Sequence, residues 1–351
     1  MSGIKAFKGD KVVGGDIVAG RESSGARRAA KRALNGLMLQ SSLGVGGVTV
    51  ILILVLAVFT QGFLTSGNVF NMSRTFSLWI IVGFSQMVVL TVGQMNLSAG
   101  AIGGLAAVTV GGMFQNLHAP DALVILSGLV AGAACGAFNG LFIVLTGIDA
   151  FIVTLASSSI FLGINYGWTQ GMPFSLVPPS FQFMGQGGVL NTVPIMFFVM
   201  VFVAIVMYLI FRHTVFGRRV LAVGGNKEAA VLSGINAKRT IFYVHTLSGL
   251  LAGLGGVLFV SRLGAAHPTI GSDWLLLSFA VPVIGGTSLT GGNTSILGVV
   301  FGGVLMTLIT TGLVLLNVSP FLNQLFLGIL LLVAVLLDRA RQVYVLRRAF
   351  D

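Results

Sequence analysis

Apolar residues run along this chain in stretches of about twenty, the length at which a helix crosses a hydrocarbon layer of about 30 Å. Windows of about nineteen residues predict ten membrane spans, approximately 44–63, 75–93, 99–115, 121–146, 149–166, 194–211, 240–261, 273–286, 296–316 and 320–337. Several starts carry helix-cap residues. Asp121, Asp149 and Asp273 each directly precede an apolar run, where an N-cap belongs. Thr192 lies just ahead of Pro194, and Ser319 sets a cap before Pro320 at the first helical position. The eighth span is short and is interrupted by Pro282, Gly285 and Gly286, so it is expected to unwind within the membrane. The expected fold class is an all-α polytopic membrane protein of about ten transmembrane helices.

Composition agrees, with 55% hydrophobic and only 8% charged residues. The 49 glycines include Gly128, Gly132, Gly136 and Gly140 in the fourth span, a four-residue ridge that lets a neighbouring backbone approach closely. Cys135, the single cysteine, excludes an internal disulfide and reads as packing. A net charge of +11 would suggest nucleic-acid binding in a soluble chain. Here membrane orientation explains it: with the N-terminus inside, eighteen of the twenty Lys and Arg residues fall on cytoplasmic segments. Only Arg74 and Arg262 are left outside. No nucleic-acid partner is expected. Residues 1–43 read as a disordered, basic cytoplasmic tail with no signal-peptide cleavage site, 44–338 as the transmembrane domain, and 339–351 as a short basic cytoplasmic tail. The charge-free loop from 167 to 193 reads as external.

The longest charged interruption, 212–239, holds Arg218, Arg219, Lys227, Glu228, Lys238 and Arg239. Within it Asn226 can cap a short helix, KEAAVLSG, that Gly234 stops. On physics alone this is as well an ordinary basic loop as a handle for another protein. The chemistry inside the spans is neutral. No carboxylate lies in the middle of a span, as an ion-coupled transporter would require, and no GxxxxGK[ST] phosphate loop occurs. No catalytic or metal-binding set stands out and no cofactor is expected. Gln94, Asn96 and Ser98 cluster after the second span beside Gly93 and Gly100, with Asn139 in the fourth span and His245 in the seventh. Neutral groups of this kind suit the path of an uncharged, polyhydroxylated solute, and the Gln94–Ser98 cluster reads as an unwound segment lining it; singly, each also suits a bond to a neighbouring helix, His245 above all.

GGNKEAAVLSGIN, GLLAGLGGVLFVSRLGAAHPT and VIGGTSLTGGNTSILGVVFGGVL resemble the corresponding blocks of ribose-type ABC importer permeases, and GQMNLSAGAIGGL does so less closely, with Asn96 where that family usually has Asp. The resemblance covers most of the chain from about residue 44. It implies a homodimer with a path between subunits, an inverted repeat, an ATPase partner with two fused nucleotide domains, and a periplasmic solute-binding protein. It makes 212–239 the coupling loop, with Asn226, Glu228, Ala229, Ala230 and Gly234 as its ATPase-docking residues. It places the chain in a bacterial inner membrane, both termini cytoplasmic, importing a monosaccharide; autoinducer-2 and nucleosides are also carried in the family. Arg74 and Arg262 are then candidates for docking the binding protein, against the alternative that they reach lipid phosphates. The rival readings are a secondary, ion-coupled transporter and a non-transporting membrane scaffold.

Overall fold

The computed structural model describes residues 44–189 and 193–319, with scattered positions up to 336. The expected tails, the Thr192 and Pro320 cap positions and most of the tenth span lie outside the described residues. The helices are α1 (Gly44–Phe59), α2 (Ser66–Thr91), α3 (Ala99–Leu117), α4 (Asp121–Thr146), α5 (Ala150–Thr169), α6 (Pro179–Gln186), α7 (Ile195–His213), α8 (Val215–Gly225), α9 (Lys227–Leu232), α10 (Ala237–Leu263), α11 (Trp274–Ile284) and α12 (Ile296–Leu315). Among the described residues six helices, α2, α4, α5, α7, α10 and α12, are long and apolar enough to cross a membrane.

Burial divides these helices into an inner and an outer set. From Ser77 to Thr91 every residue of α2 but Trp79 is buried, and α3 and α10 are buried on most of their faces. Around them α4, α5 and α7 turn apolar side chains outward, among them Leu126, Val130, Ile160, Phe198 and Phe202. Such a surface is stable only against lipid or another apolar face.

The α4–α10 contact is the most extensive helix pair, and the glycine ridge explains it. A Cβ on Gly132 would lie 2.5 Å from the Gly249 carbonyl oxygen and 2.7 Å from the Gly253 Cα, so the two backbones touch with no side chain between them.

The structure amends several expected boundaries. α2 begins at Ser66 and not near 75, because Asn68, Thr75 and Ser77 satisfy their polar groups on nearby backbone carbonyls and leave the helix intact. Asp149 caps α5 as expected, accepting from the Phe151 N–H at 2.7 Å. Asp121 does not cap: Pro120 takes the N-cap position and Asp121 lies in the first turn, where its charge still complements the helix dipole. Asp273 occupies the N-cap of α11 but makes no side-chain cap bond. α11 contains Pro282 and is 11 residues long, a rise of about 16 Å, after which 285–295 is non-helical.

The described part of the loop after α5, up to residue 189, is more ordered than its composition suggests. It holds α6 and β1 (Gly188–Val189), which pairs antiparallel with β2 (Val193–Pro194). Phe174 exchanges backbone hydrogen bonds with Ala266. Phe181 is buried against Phe114, ring centroids 4.9 Å apart.

Candidate functional site

α2 and α10 run antiparallel in contact, so the C-terminal end of α2 meets the N-terminal half of α10. There the chain between α2 and α3 leaves the helical path at residues 92–98. A continuous polar web holds this break. Asn96 Nδ2 donates to Ser248 Oγ (2.9 Å), and Ser248 Oγ pairs with Ser85 Oγ (3.1 Å). Asn96 Oδ1 accepts from the Ser98 N–H (3.0 Å) and the Ser98 hydroxyl (2.7 Å), while Asn139 Nδ2 donates to Ser98 Oγ (2.7 Å). Thr154 Oγ1 accepts from the Leu97 N–H at 3.1 Å. With its amide nitrogen toward the Asn96 carbonyl, Gln86 bonds both backbone groups of Asn96, at 3.0 and 3.2 Å. Unwound backbone inside an apolar bundle needs such partners.

Of the four sequence-selected residues, Asn96, Ser98 and Asn139 are fully buried, and Gln94 is half-buried. The structure brings all four to this one place. Gln94 Oε1 lies 3.0 Å from His245 Nε2. Gln94 thus engages one ring nitrogen of His245 and leaves the other, Nδ1, over. His245 Nδ1 and Asn139 Oδ1 have no partner among the described residues. The web therefore leaves Asn139 Oδ1 over, and the neighbouring Gln94–His245 pair leaves one imidazole nitrogen over, two buried polar atoms that hydroxyl groups or water could engage. Ser85 and Ser248 belong to it and were not anticipated. A lone serine in an apolar span gives no local signal of a partner more than 150 residues away.

At the same end of the bundle, three chain segments meet backbone to backbone. The Gly292 N–H donates to the Thr91 carbonyl at 2.9 Å. A Cβ on Gly224, near the end of α8, would strike that same carbonyl, and one on Gly292 would lie 2.8 Å from the Gly225 Cα. The break after α2, the end of α8 and the 285–295 segment thus share one contact, immediately before α9.

α9 is closed at both ends. Asn226 Oδ1 accepts from the Ala229 N–H at 2.9 Å. At the other end the Gly234 N–H reaches the Val231 carbonyl (2.9 Å) and the Ile235 N–H the Ala230 carbonyl (3.0 Å), a Schellman closure that Gly234 permits with φ +81°. Asn226, Glu228, Ala229 and Gly234 are exposed. Ala230 is only 4% exposed and seats α9 on the chain's own apolar core. Of the two alanines that the resemblance assigns to docking, Ala229 is exposed and Ala230 is turned into the chain.

Arg74 and Arg262 come together at the opposite end. Arg262 Nη2 donates to Thr75 Oγ1 at 3.0 Å and lies within reach of the Arg74 charge. Arg74 stands 5.8 Å from the centroid of Phe70, and its Nε has no partner among the described residues. Among the described residues no carboxylate pairs with either.

A family described as branched-chain amino acid transport system / permease component matches residues 68–335. The ribose import permease protein of Bacillus subtilis is 36% identical over 83% of this chain and 90% of its own length. The fructose import permease protein of Rhizobium meliloti is 33% identical (82% and 84%), and the galactose/methyl galactoside import permease protein of Escherichia coli 32% identical (87% and 97%). No solved structure matches the chain.

Proposed function

The chain belongs to the branched-chain amino acid transport system / permease component family, among the ribose-type ABC importer permeases, and from that premise we propose that it is the membrane subunit through which ATP-driven import of a monosaccharide proceeds. It is a multi-pass membrane protein and a transport component, not an enzyme; permeases of this kind work with an ATPase and a solute-binding protein. In this reading ten spans place both termini in the cytoplasm of a bacterium, two copies assemble, and the two broken stretches, 92–98 and 285–295, belong to an inverted repeat. The ATPase, with two fused nucleotide domains, grips the end bearing α9 through Asn226, Glu228, Ala229 and Gly234, while Ala230 holds α9 in place. Gln94, Asn96, Ser98 and Asn139 border the solute path. Arg74 and Arg262 receive acidic groups of the binding protein on the far side.

The observation that carries this reading is the backbone contact joining Gly224, Gly292 and Thr91, because it links the end of α8, just before the doubly capped α9, to the end of α2, just before the polar break. Proteoliposomes holding the permease, its ATPase and its binding protein, offered radiolabelled ribose, fructose or galactose, supply the test. Uptake is expected to require ATP and to survive an ionophore. Uptake driven by a proton or sodium gradient without ATP points instead to a secondary transporter. In the same vesicles Gly234→Val, which forces a β-branched side chain into the left-handed region, is expected to abolish uptake. Undiminished uptake in that variant removes α9 from the coupling role.

A further inference from the structure

Leu232 is 89% exposed, the most exposed large apolar side chain among the described residues. We infer that it is the anchor by which the α8–α9 surface plugs into an apolar socket rimmed by carboxylates on the ATPase. This rests on the importer reading above and goes beyond it, since Leu232 is not among the docking residues that the resemblance implies.

Helical geometry sets the outward face of α9. Each residue advances about 100°, so with Ala230 turned into the core, Leu232 and Glu228 lie about 200° away. They are four residues apart on one ridge facing away from the protein. Val231, 52% exposed, flanks Leu232 on one side. Caps at both ends hold α9 in shape before any partner arrives, which lowers the ordering cost of binding. A single apolar side chain on a rigid projection is the form an interface anchor takes.

Charge defines what surrounds the socket. Arg218 and Arg219 on α8, Lys227 on α9, and Lys238 and Arg239 at the start of α10 are all exposed, and α8 and α10 both contact α9. Across 215–239 the only acidic residue is Glu228. An apolar anchor within a cationic rim fits a partner whose pocket is apolar at its centre and acidic at its edge. An anionic membrane surface also attracts cations beside apolar groups. A helix lying in that interface, however, shows a wide apolar stripe along its length, whereas the outward ridge of this 6-residue helix carries one apolar side chain beside a glutamate.

The test measures the affinity of the importer's ATPase for the full-length permease in phosphatidylcholine nanodiscs, with Leu232→Ala, Leu232→Asp and Gly234→Val beside the parent. Leu232→Ala is expected to weaken binding about tenfold to a hundredfold, equivalent to about 1.4–2.8 kcal/mol, and Leu232→Asp further. Both should keep the parent's thermal stability, since the side chain is almost wholly exposed. Raising salt should weaken the parent and Leu232→Ala by similar factors, because the cationic rim stays intact, whereas Arg218→Glu with Arg219→Glu should flatten that salt dependence. If both Leu232 variants bind like the parent while Gly234→Val does not, the anchor is overturned and the coupling role of α9 stands. If none of the three weakens binding, both readings fall. If Leu232 governs instead how α9 associates with phosphatidylglycerol-containing nanodiscs, read by fluorescence of a probe on a cysteine at position 233 in a Cys135→Ala background, and leaves ATPase affinity unchanged, the surface belongs to the membrane and the inference is overturned.

Discussion

Substituting Gly132 by alanine adds one methyl group where α4 and α10 touch. That methyl would lie 2.7 Å from the Gly253 Cα, whereas carbon atoms rest at about 3.5–4.0 Å. The helices must therefore part by roughly 1 Å at the crossing. Glycines at 128, 132, 136 and 140 carry the contact along α4, a length of about 18 Å at 1.5 Å per residue. Parting them loosens dispersion contacts over that whole length, and packing is the main force between helices in lipid. Overpacking of this kind costs about 1–3 kcal/mol, against which alanine returns up to about 1 kcal/mol of helix propensity. A net loss of about 1–2 kcal/mol is expected. Gly47→Ala is the control, because a Cβ there meets nothing within 4 Å among the described residues; it should be neutral or slightly stabilising. Unfolding of each purified variant by sodium dodecyl sulfate in mixed micelles reads both. Equal stability of the two variants, or a more stable Gly132→Ala, refutes the claim that backbone contact at this crossing holds the bundle.

Asn96→Leu leaves the Ser98 N–H, the Ser98 hydroxyl and Ser248 to find other partners in a buried site, so a loss of about 1–3 kcal/mol in the same micelle assay is expected; Asn96→Asp, which keeps the acceptor, should lose less. Single cysteines at 94, 96 and 98 in a Cys135→Ala background should react with a maleimide to a degree that changes with nucleotide state, and silence of all three in every state makes them purely structural. Arg262→Glu should raise the binding-protein concentration needed for half-maximal uptake and flatten its salt dependence, with partial recovery on reversing an acid of the binding protein; curves identical to the parent's remove the docking role of the arginine pair.

What the sequence makes legible here is what is decided locally. The caps of α9 involve Asn226 and Gly234 within a few residues of the groups they satisfy, and both could be read in advance. The glycine ridge of α4 announced a close approach by its spacing, although not the identity of α10 as its neighbour. Hydropathy misplaced the start of α2 because Asn68, Asn71 and Arg74 lower the average without breaking the helix. The order of the 167–193 loop depends on Phe181 finding Phe114, and Phe174 finding Ala266. The candidate site divides the same way. Asn96 and Ser98 stood out as amides and hydroxyls beside glycine, whereas Ser248 and Ser85 become members only through pairing across the fold. Ala230 shows the limit of residue type as a guide: a small side chain suits a foreign groove and the protein's own core equally, and only burial decides between them.

The meeting of Thr91, Gly224 and Gly292 amounts to a joint with no play in it. Side chains between two backbones act as a compliant layer, since a rotamer change absorbs an ångström of displacement at a cost of order 1 kcal/mol. Here that layer is missing: a peptide N–H is fixed on a peptide carbonyl, and the end of α8 lies flush against both. A displacement of α8 larger than the few tenths of an ångström that a hydrogen bond tolerates must either break the bond between Gly292 and Thr91 or drag the end of α2 with it. Unless that one hydrogen bond gives way, a push on the exterior helix is therefore carried through to the unwound turn at Gly93.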